Sequence, residues 1–207
     1  MPKDGTDTRH RIMDASEPLI LAHGFSGTSV DAIVKKAGVT KGAFFHHFPS
    51  KTELGRALVD RWADSDESML ADFMARAERL SRDPVQQLLI VVGLFEETMS
   101  GLSEPYPGCL LATTVTEAEL FDQATHARVR KSVEIWRETL VRKLREVAAI
   151  HPPGLEVDLD AVADMLWSTF EGAFILSKTM QAPDAVSKQL RQYRNYLELL
   201  FGGGRRG

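Results

Sequence analysis

The chain contains only one cysteine, Cys109, among its 207 residues. A single cysteine excludes an intrachain disulfide and any zinc site made of clustered cysteines, and it fits a reducing compartment. The chain also has no run of about 20 consecutive apolar residues, as a membrane span requires. Its first residues, MPKDGTDTRHR, lack the apolar segment of a signal peptide. We therefore expect a soluble, cytoplasmic protein.

Sequence motifs of catalysis are missing as well. The chain has no Gly-x-Ser-x-Gly, no His-Glu-x-x-His and no phosphate-binding loop. Cys109 could act as a nucleophile only beside a base, and the sequence identifies none. These observations predict that the protein is not an enzyme and that it uses no cofactor and no metal ion.

Apolar residues recur at helical spacing along most of the chain, and no alternating strand pattern is evident. Helix-start signals are frequent: Ser50 is followed by Glu53, Asp83 precedes Pro84, and Asp158 precedes a further apolar stripe. We predict an all-α protein of about nine helices, with Pro18 kinking the first one. The predicted division is a helix-turn-helix domain at 1–52, a ligand-binding and dimerisation domain at 53–201, and a disordered tail at 202–207.

The charge is unevenly distributed. The whole chain carries a net charge of -4, yet residues 1–56 contain eight Lys/Arg against six Asp/Glu and four of the six histidines. A mildly basic head on an acidic body indicates a local contact with nucleic acid rather than a charged tail.

The stretch GVTKGAFFHHFPSK, residues 38–51, lies at the end of this basic head. Ser29 can cap a short helix that Gly38 ends, and Thr40 can cap a second one, which together make a helix-turn-helix. The second helix would turn Phe44 and Phe48 to the core. Its opposite face would then present small side chains and hydrogen-bond donors to DNA: Lys41, Gly42, Ala43, His46 and His47. Adjacent histidines point about 100° apart, so a metal-binding pair is disfavoured.

The run TRHRIMDASEPLILAHGFSGTSVDAIVKKAGVTKGAFFHHFPSKTEL, from Thr8 to Leu54, resembles the tetracycline-repressor (TetR) family of bacterial regulators. The resemblance covers about a quarter of the chain, and the remainder agrees only in the number and length of its helices. It implies a homodimeric transcription factor whose first three helices bind double-stranded operator DNA. Its later helices would bind a small-molecule effector and dimerise.

The resemblance also assigns roles to single residues. Thr40, Lys41, Gly42 and Ala43 would approach the bases, whereas Ser29, His46, His47 and Lys51 would hold the DNA backbone. Phe45 stands where many members carry a tyrosine that reaches a phosphate, and phenylalanine cannot make that hydrogen bond. The caps Ser29 and Thr40 could also serve the helices alone, and Lys51 could be a solvated charge.

Repressors of this family leave a cavity among the later helices, and we expect a mostly apolar effector there. The nominated lining is Phe95, Met99, Cys109, Thr113, Trp136 and Phe170, with Glu117 as the polar contact or a surface carboxylate. Such apolar stripes are otherwise ordinary core. GCLL, around Cys109, also resembles a subgroup that responds to N-ethylmaleimide and other electrophiles through cysteine, whereas a free cysteine is otherwise a small buried hydrophobe.

The last predicted helix carries apolar residues at spacings of four and three, and small residues around Gly172 occupy the helix before it. This pattern predicts a dimer interface formed by Gly172, Val186, Leu190, Tyr193 and Leu197, or else a seam that packs only within one chain. Two functions besides a ligand-released repressor stay open: an activator of the same fold, and a ligand-binding protein that does not bind DNA.

Overall fold

A computed structural model describes residues 3–202, and within that range the chain forms nine α-helices, one 3-10 turn and no strand. The all-α prediction is confirmed. The helices are α1 (Lys3–Gly27), α2 (Val30–Ala37), α3 (Lys41–His47), α4 (Lys51–Leu80), α5 (Pro84–Thr98), α6 (Leu110–Thr116), α7 (Gln123–Ile150), α8 (Leu159–Met180) and α9 (Ala185–Phe201), with the 3-10 turn at Ala118–Leu120.

The chain divides into two compact units that differ from the predicted domains. The first unit contains residues up to 65 together with 107–132, and the second contains 66–106 together with 133 onward. The predicted boundary after residue 52 lies in the first turn of α4, and the division into a DNA-binding and an effector domain stays a prediction. Helix α6 belongs to the first unit because it packs on α1 and places Leu110 in the apolar core of that unit. Apart from Gly202, the predicted tail lies outside the described residues.

In the first unit, α1 is interrupted at Gly24, which has φ +77° and ψ 168°. Pro18 lies inside α1, and the non-helical dihedral angles occur six residues later, at Gly24, so the kink expected at Pro18 stays a prediction. A positive φ is costly for residues with a Cβ, and here a Cβ would also collide with the Glu117 carboxylate. Glycine is therefore required at the point where the chain leaves α1.

Close packing near the start of α4 depends on a second glycine. The rings of Phe25 and Phe121 lie 4.7 Å apart between centroids. A Cβ added to Gly55 would come within 2.6 Å of Phe25 and 2.9 Å of Phe121. The missing side chain thus makes room for both aromatic rings.

In the second unit, α9 packs against α5 and α8. The Tyr193 hydroxyl donates to the Val162 carbonyl at 2.8 Å, and burial raises the pKa of that phenol. Arg191 pairs with the Glu96 carboxylate at 2.7 Å and so ties α9 to α5. One face of α9 is consequently buried within this unit.

Gly55→Ala should lower the free energy of unfolding by about 1–3 kcal/mol, because the new methyl group overpacks against two rings. Gly93→Ala in α5 is the matched control. A Cβ there meets only Arg194 at ordinary distance, so alanine should stabilise that helix by roughly 0.5–1 kcal/mol. Thermal unfolding of both variants at one protein concentration checks this, and equal melting temperatures would contradict it.

Candidate functional sites

The helix-turn-helix is fixed at each end by short-range capping. Ser29 Oγ accepts from Ala32 N at 3.1 Å, and Thr40 Oγ1 accepts from Ala43 N at the same distance. Gly38 closes α2 in the left-handed conformation, with φ +63°. Both helices thus begin where the sequence predicts, and α2 ends at the predicted glycine. Ser29 and Thr40 act as helix caps, and their contacts with DNA stay a prediction.

Arg11, which the sequence analysis did not single out, also holds the turn. Its guanidinium donates to the carbonyls of Ala37 at 2.8 Å and Gly38 at 3.2 Å. These are orphan carbonyls at the C-terminus of α2, where a cation is favoured by the helix dipole. Arg11 and Ala37 are 26 residues apart, so local sequence patterns could not predict this contact.

The face of α3 opposite Phe44 and Phe48 is open. Those two phenylalanines are buried, as predicted, at 0% and 2% exposure. Lys41, Gly42 and His46 are exposed, and Ala43 and His47 are half-buried. A Cβ on Gly42 would meet only Thr40 Oγ1, at 3.8 Å. Backbone and small side chains are therefore accessible along this face.

Two residues of the same region have distinctive surroundings. Lys41 pairs with Asp31 at 2.7 Å, and both side chains are more than half exposed. An ion pair so exposed is worth little, so Lys41 can exchange this partner for a phosphate. Phe45 is 48% exposed and carries no hydroxyl, so any contact it makes with DNA is apolar.

Lys51 is not the solvated charge that the sequence left open. Its ammonium donates to the carbonyls of Phe25 at 2.8 Å and Thr28 at 3.0 Å, and it lies 4.6 Å from the centre of the Phe25 ring. Two of its three donors are thereby engaged inside the first unit. Lys51 fixes the segment that leads into α2, and one donor remains for a phosphate.

Glu117 holds the same segment from the other side. Its two carboxylate oxygens accept from the backbone N–H groups of Phe25 at 3.0 Å and Ser26 at 2.7 Å. The structure thus corrects the expectation that this carboxylate is an effector contact or a plain surface charge. It acts as a cap for the turn that follows Gly24.

Cys109 and Thr113 also belong to the first unit. Cys109 is 6% exposed and caps α6, with its sulfur accepting from Ala112 N at 3.5 Å. The Thr113 hydroxyl donates to the Cys109 carbonyl at 3.0 Å. Helix α6 begins directly after Cys109 and ends at Thr116. The thiol therefore lies at a helix N-terminus.

The remaining effector candidates meet in the second unit. Phe95 contacts Trp136 and Phe170, with ring centroids at 5.1 and 5.5 Å, and Trp136 lies 6.3 Å from Phe170. Phe73, Trp167 and Phe174 extend this set, which we call the aromatic cluster. Met99 is buried and caps the end of α5.

Asp66 lies at this cluster, and the sequence analysis missed it. Burial raises the pKa of Asp66 to about 7. The indole N–H of Trp136 lowers this pKa, whereas the neighbouring charges of Glu67 and Glu171 raise it further. A signal was present in the sequence: Asp66 continues the spacing of Trp62, Leu70 and Phe73, so a carboxyl occupies a position in an apolar stripe.

The predicted dimer interface needs a correction. Val186, Leu190, Tyr193 and Leu197 are between 0% and 4% exposed because they face α5 and α8 of their own chain. Their spacing predicts burial correctly, but the buried face packs against helices of the same chain rather than against a second chain. Gly172, by contrast, is exposed, with nothing within 4 Å of an added Cβ. The same helix exposes several large apolar residues: Met165, Ile175, Leu176 and Met180.

Two short helices joined by a glycine turn, with an exposed second helix over a phenylalanine core, define a helix-turn-helix DNA-binding protein. Residues 12–58 match the family described as bacterial regulatory proteins, tetR family, and residues 84–193 match the tetracyclin repressor-like C-terminal domain. The second match alone spans more than half of the chain. The protein belongs to the TetR family of transcriptional regulators, which are not enzymes.

Relatives agree over most of the chain. Transcriptional regulator AcuR of Cereibacter sphaeroides is 28% identical over 172 residues, covering 82% of this chain and 76% of its own. The transcriptional repressor DhaR of a Mycobacterium species is 23% identical, covering 84% and 83%. A TetR-family regulator from Agrobacterium tumefaciens has the same fold, with a TM-score of 0.78 over 96% and 100% of the chains at 22% identity. Among residues 3–202, no helix is long and apolar enough to cross a membrane.

Proposed function

We propose that the protein is a cytoplasmic, homodimeric repressor that reads a pseudo-palindromic operator with α3 and leaves it when a small, mostly apolar effector binds the second unit. The observation that carries this proposal is the exposed face of α3, where Gly42 presents open backbone beside Lys41. Small residues allow the helix to approach base edges in the major groove. Ser29, His46, His47 and Lys51 would position the phosphate backbone.

The proposed mechanism is a shift between two spacings of the DNA-reading heads. Both half-sites must lie in major grooves about 34 Å apart, or a multiple of this distance. Helices α4 and α7 each contribute residues to both units, so a change in the second unit has a continuous covalent route to the first. An effector lowers operator affinity only if it prefers the incompatible spacing. An activator would require the opposite preference.

The exposed face of α8 supports dimerisation. Ile175 and Met180 are 67% and 69% exposed, and Gly172 allows another helix to approach closely. A contiguous exposed apolar surface of this kind marks an interaction site in proteins that do not enter membranes. We place the interface on this face, which includes Met165 and Leu176, rather than on the buried seam of α9.

A second candidate function is sensing of electrophiles through Cys109. The sulfur accepts a hydrogen bond from the Ala112 N–H at the N-terminus of α6, and the thiolate is the form of cysteine that reacts with electrophiles. NemR of Escherichia coli, which is 28% identical over 59% of this chain, has a solved structure described as its reduced form. That description is consistent with cysteine chemistry in a relative.

Gly42→Val should weaken operator binding more than about 100-fold, as expected when two base contacts worth roughly 1–3 kcal/mol each are lost. The fold should persist, because an added Cβ meets no close contact. Gly93→Val, the same change in α5, should bind as the wild type does. Fluorescence anisotropy against a selected site and a random duplex, at several salt concentrations, measures both. Equal binding of the two duplexes at physiological salt would contradict operator recognition. It would favour the alternative of a ligand-binding protein that does not regulate transcription at a specific site.

Ile175→Glu should give a folded monomer with poor operator affinity, since it places a charge in the α8 face without entering a core. Leu155→Glu is the control, because Leu155 is also highly exposed, at 64%, but lies before α8. Sedimentation velocity at micromolar concentration distinguishes the two. An Ile175→Glu protein that remains dimeric would move the interface elsewhere.

N-ethylmaleimide should add to Cys109 and release operator DNA if the thiol is a sensor. Cys109→Ser should stay bound under the same treatment, because serine preserves the helix cap and lacks the reactive sulfur. Mass spectrometry locates the adduct and anisotropy follows release. Resistance of the folded protein to modification, or modification without release, would leave Cys109 as a packing residue.

A further inference from the structure

The side of the aromatic cluster formed by α4, α7 and α8 is acidic. Asp66 and Glu67 come from α4, and Glu171 lies four residues, one helical turn, after Trp167 on α8. Asp66, Glu67, Trp167 and Glu171 are all half-buried, whereas Trp136 is 4% exposed. A buried indole therefore lies close to carboxylates that remain partly accessible.

The indole N–H of Trp136 is buried and has no hydrogen-bond partner. It lies near enough to the Asp66 carboxyl to lower the pKa of that group, but the two do not form a hydrogen bond of acceptable length and angle. A buried donor left unpaired costs about 1–3 kcal/mol. An ionised Asp66 is a stronger acceptor than a protonated one, so ionisation would favour closing this bond.

Carboxylates grouped against aromatic rings suit one kind of ligand. The charged groups that act on Asp66 are Glu67 and Glu171, which both oppose its ionisation. A positive charge between them would relieve this repulsion and also interact with the half-buried indole of Trp167, which contacts Trp136. A neutral ligand could do neither, and an anion would be repelled.

We propose that Asp66, Glu171, Trp136 and Trp167 form a binding site for an organic cation with an apolar or aromatic body. The charged nitrogen pairs with Asp66, and the body lies against the two indoles. This inference rests on the proposed function, because it names the chemical class of the effector that binds the second unit.

The proposed site should bind a cation with an affinity that depends on pH. The pKa of Asp66 is about 7 without ligand, and a bound cation favours the ionised form. Below about pH 7, binding must therefore release a proton, and affinity should fall about tenfold for each pH unit of acidification. Above that pH, affinity should level off. Glu67 and Glu171 are the other titratable groups at the site, and each also favours cation binding when ionised.

The test compares two probes of nearly equal shape that do not titrate between pH 5.5 and 8, (4-hydroxymethylphenyl)trimethylammonium and 4-tert-butylbenzyl alcohol, by isothermal titration calorimetry without DNA. The cation should bind at least about tenfold more tightly than the neutral probe at pH 8, and the preference should shrink at pH 5.5. Asp66→Asn should reduce cation affinity about 10- to 100-fold and remove its pH dependence. Asp72→Asn, an exposed carboxylate on the same helix, is the matched control.

Glu171→Gln provides a second, milder variant, expected to weaken the cation less than Asp66→Asn does. Equal affinity for both probes, or cation binding that Asp66→Asn leaves unchanged, would overturn the proposed site. Operator release is measured separately by anisotropy. If the cation binds as described but DNA stays bound, effector-controlled release is wrong while the site stands. If another compound releases DNA and the cation does not bind, the site is wrong and the proposed function stands.

Discussion

The DNA-reading helices depend on how the chain is held where it leaves α1. At Gly24 the backbone turns out of the helix with a positive φ, which frees the N–H groups and carbonyls of the next residues. Glu117 accepts from the two N–H groups that follow, and Lys51 donates to the carbonyls of Phe25 and Thr28. Donors and acceptors of this turn are thus both satisfied by charged side chains. The contacts of Glu117 and Lys51 therefore fix the position of the start of α2.

The position of Glu117 has a mechanistic consequence. It is the residue that ends α6, and it reaches backbone atoms about 90 residues earlier in the chain. Hydrogen bonds to a charged group are worth roughly 1.5–3 kcal/mol, which corresponds to about a 10- to 100-fold change in a population. A movement of α6 that broke these bonds would therefore be sufficient, in energy, to change how often the helix-turn-helix is held ready for DNA.

Local patterns predicted the fold well because helix caps act over two or three residues. Ser29, Gly38 and Thr40 bound their helices as expected, and Asp83 and Asp158 start α5 and α8. Contacts between distant residues were not accessible in this way. The spacing from Val186 to Leu197 shows that one face of α9 is buried, but the same spacing fits a partner chain and the chain's own α5 and α8 equally well.

Asp66 shows why the sequence alone did not predict part of the proposed effector site. Periodicity identifies a polar residue inside an apolar stripe. The free-energy cost of ionising that residue, however, depends on Trp136 and Glu171, which are 70 or more positions away. Because burial raises its pKa from the ordinary value of 3.8 to about 7, this carboxyl progressively reduces the stability of the fold as the pH rises between those values. A leucine would complete the stripe without this cost. Folding alone gives no reason for a carboxyl here, whereas a bound cation would stabilise its ionised form.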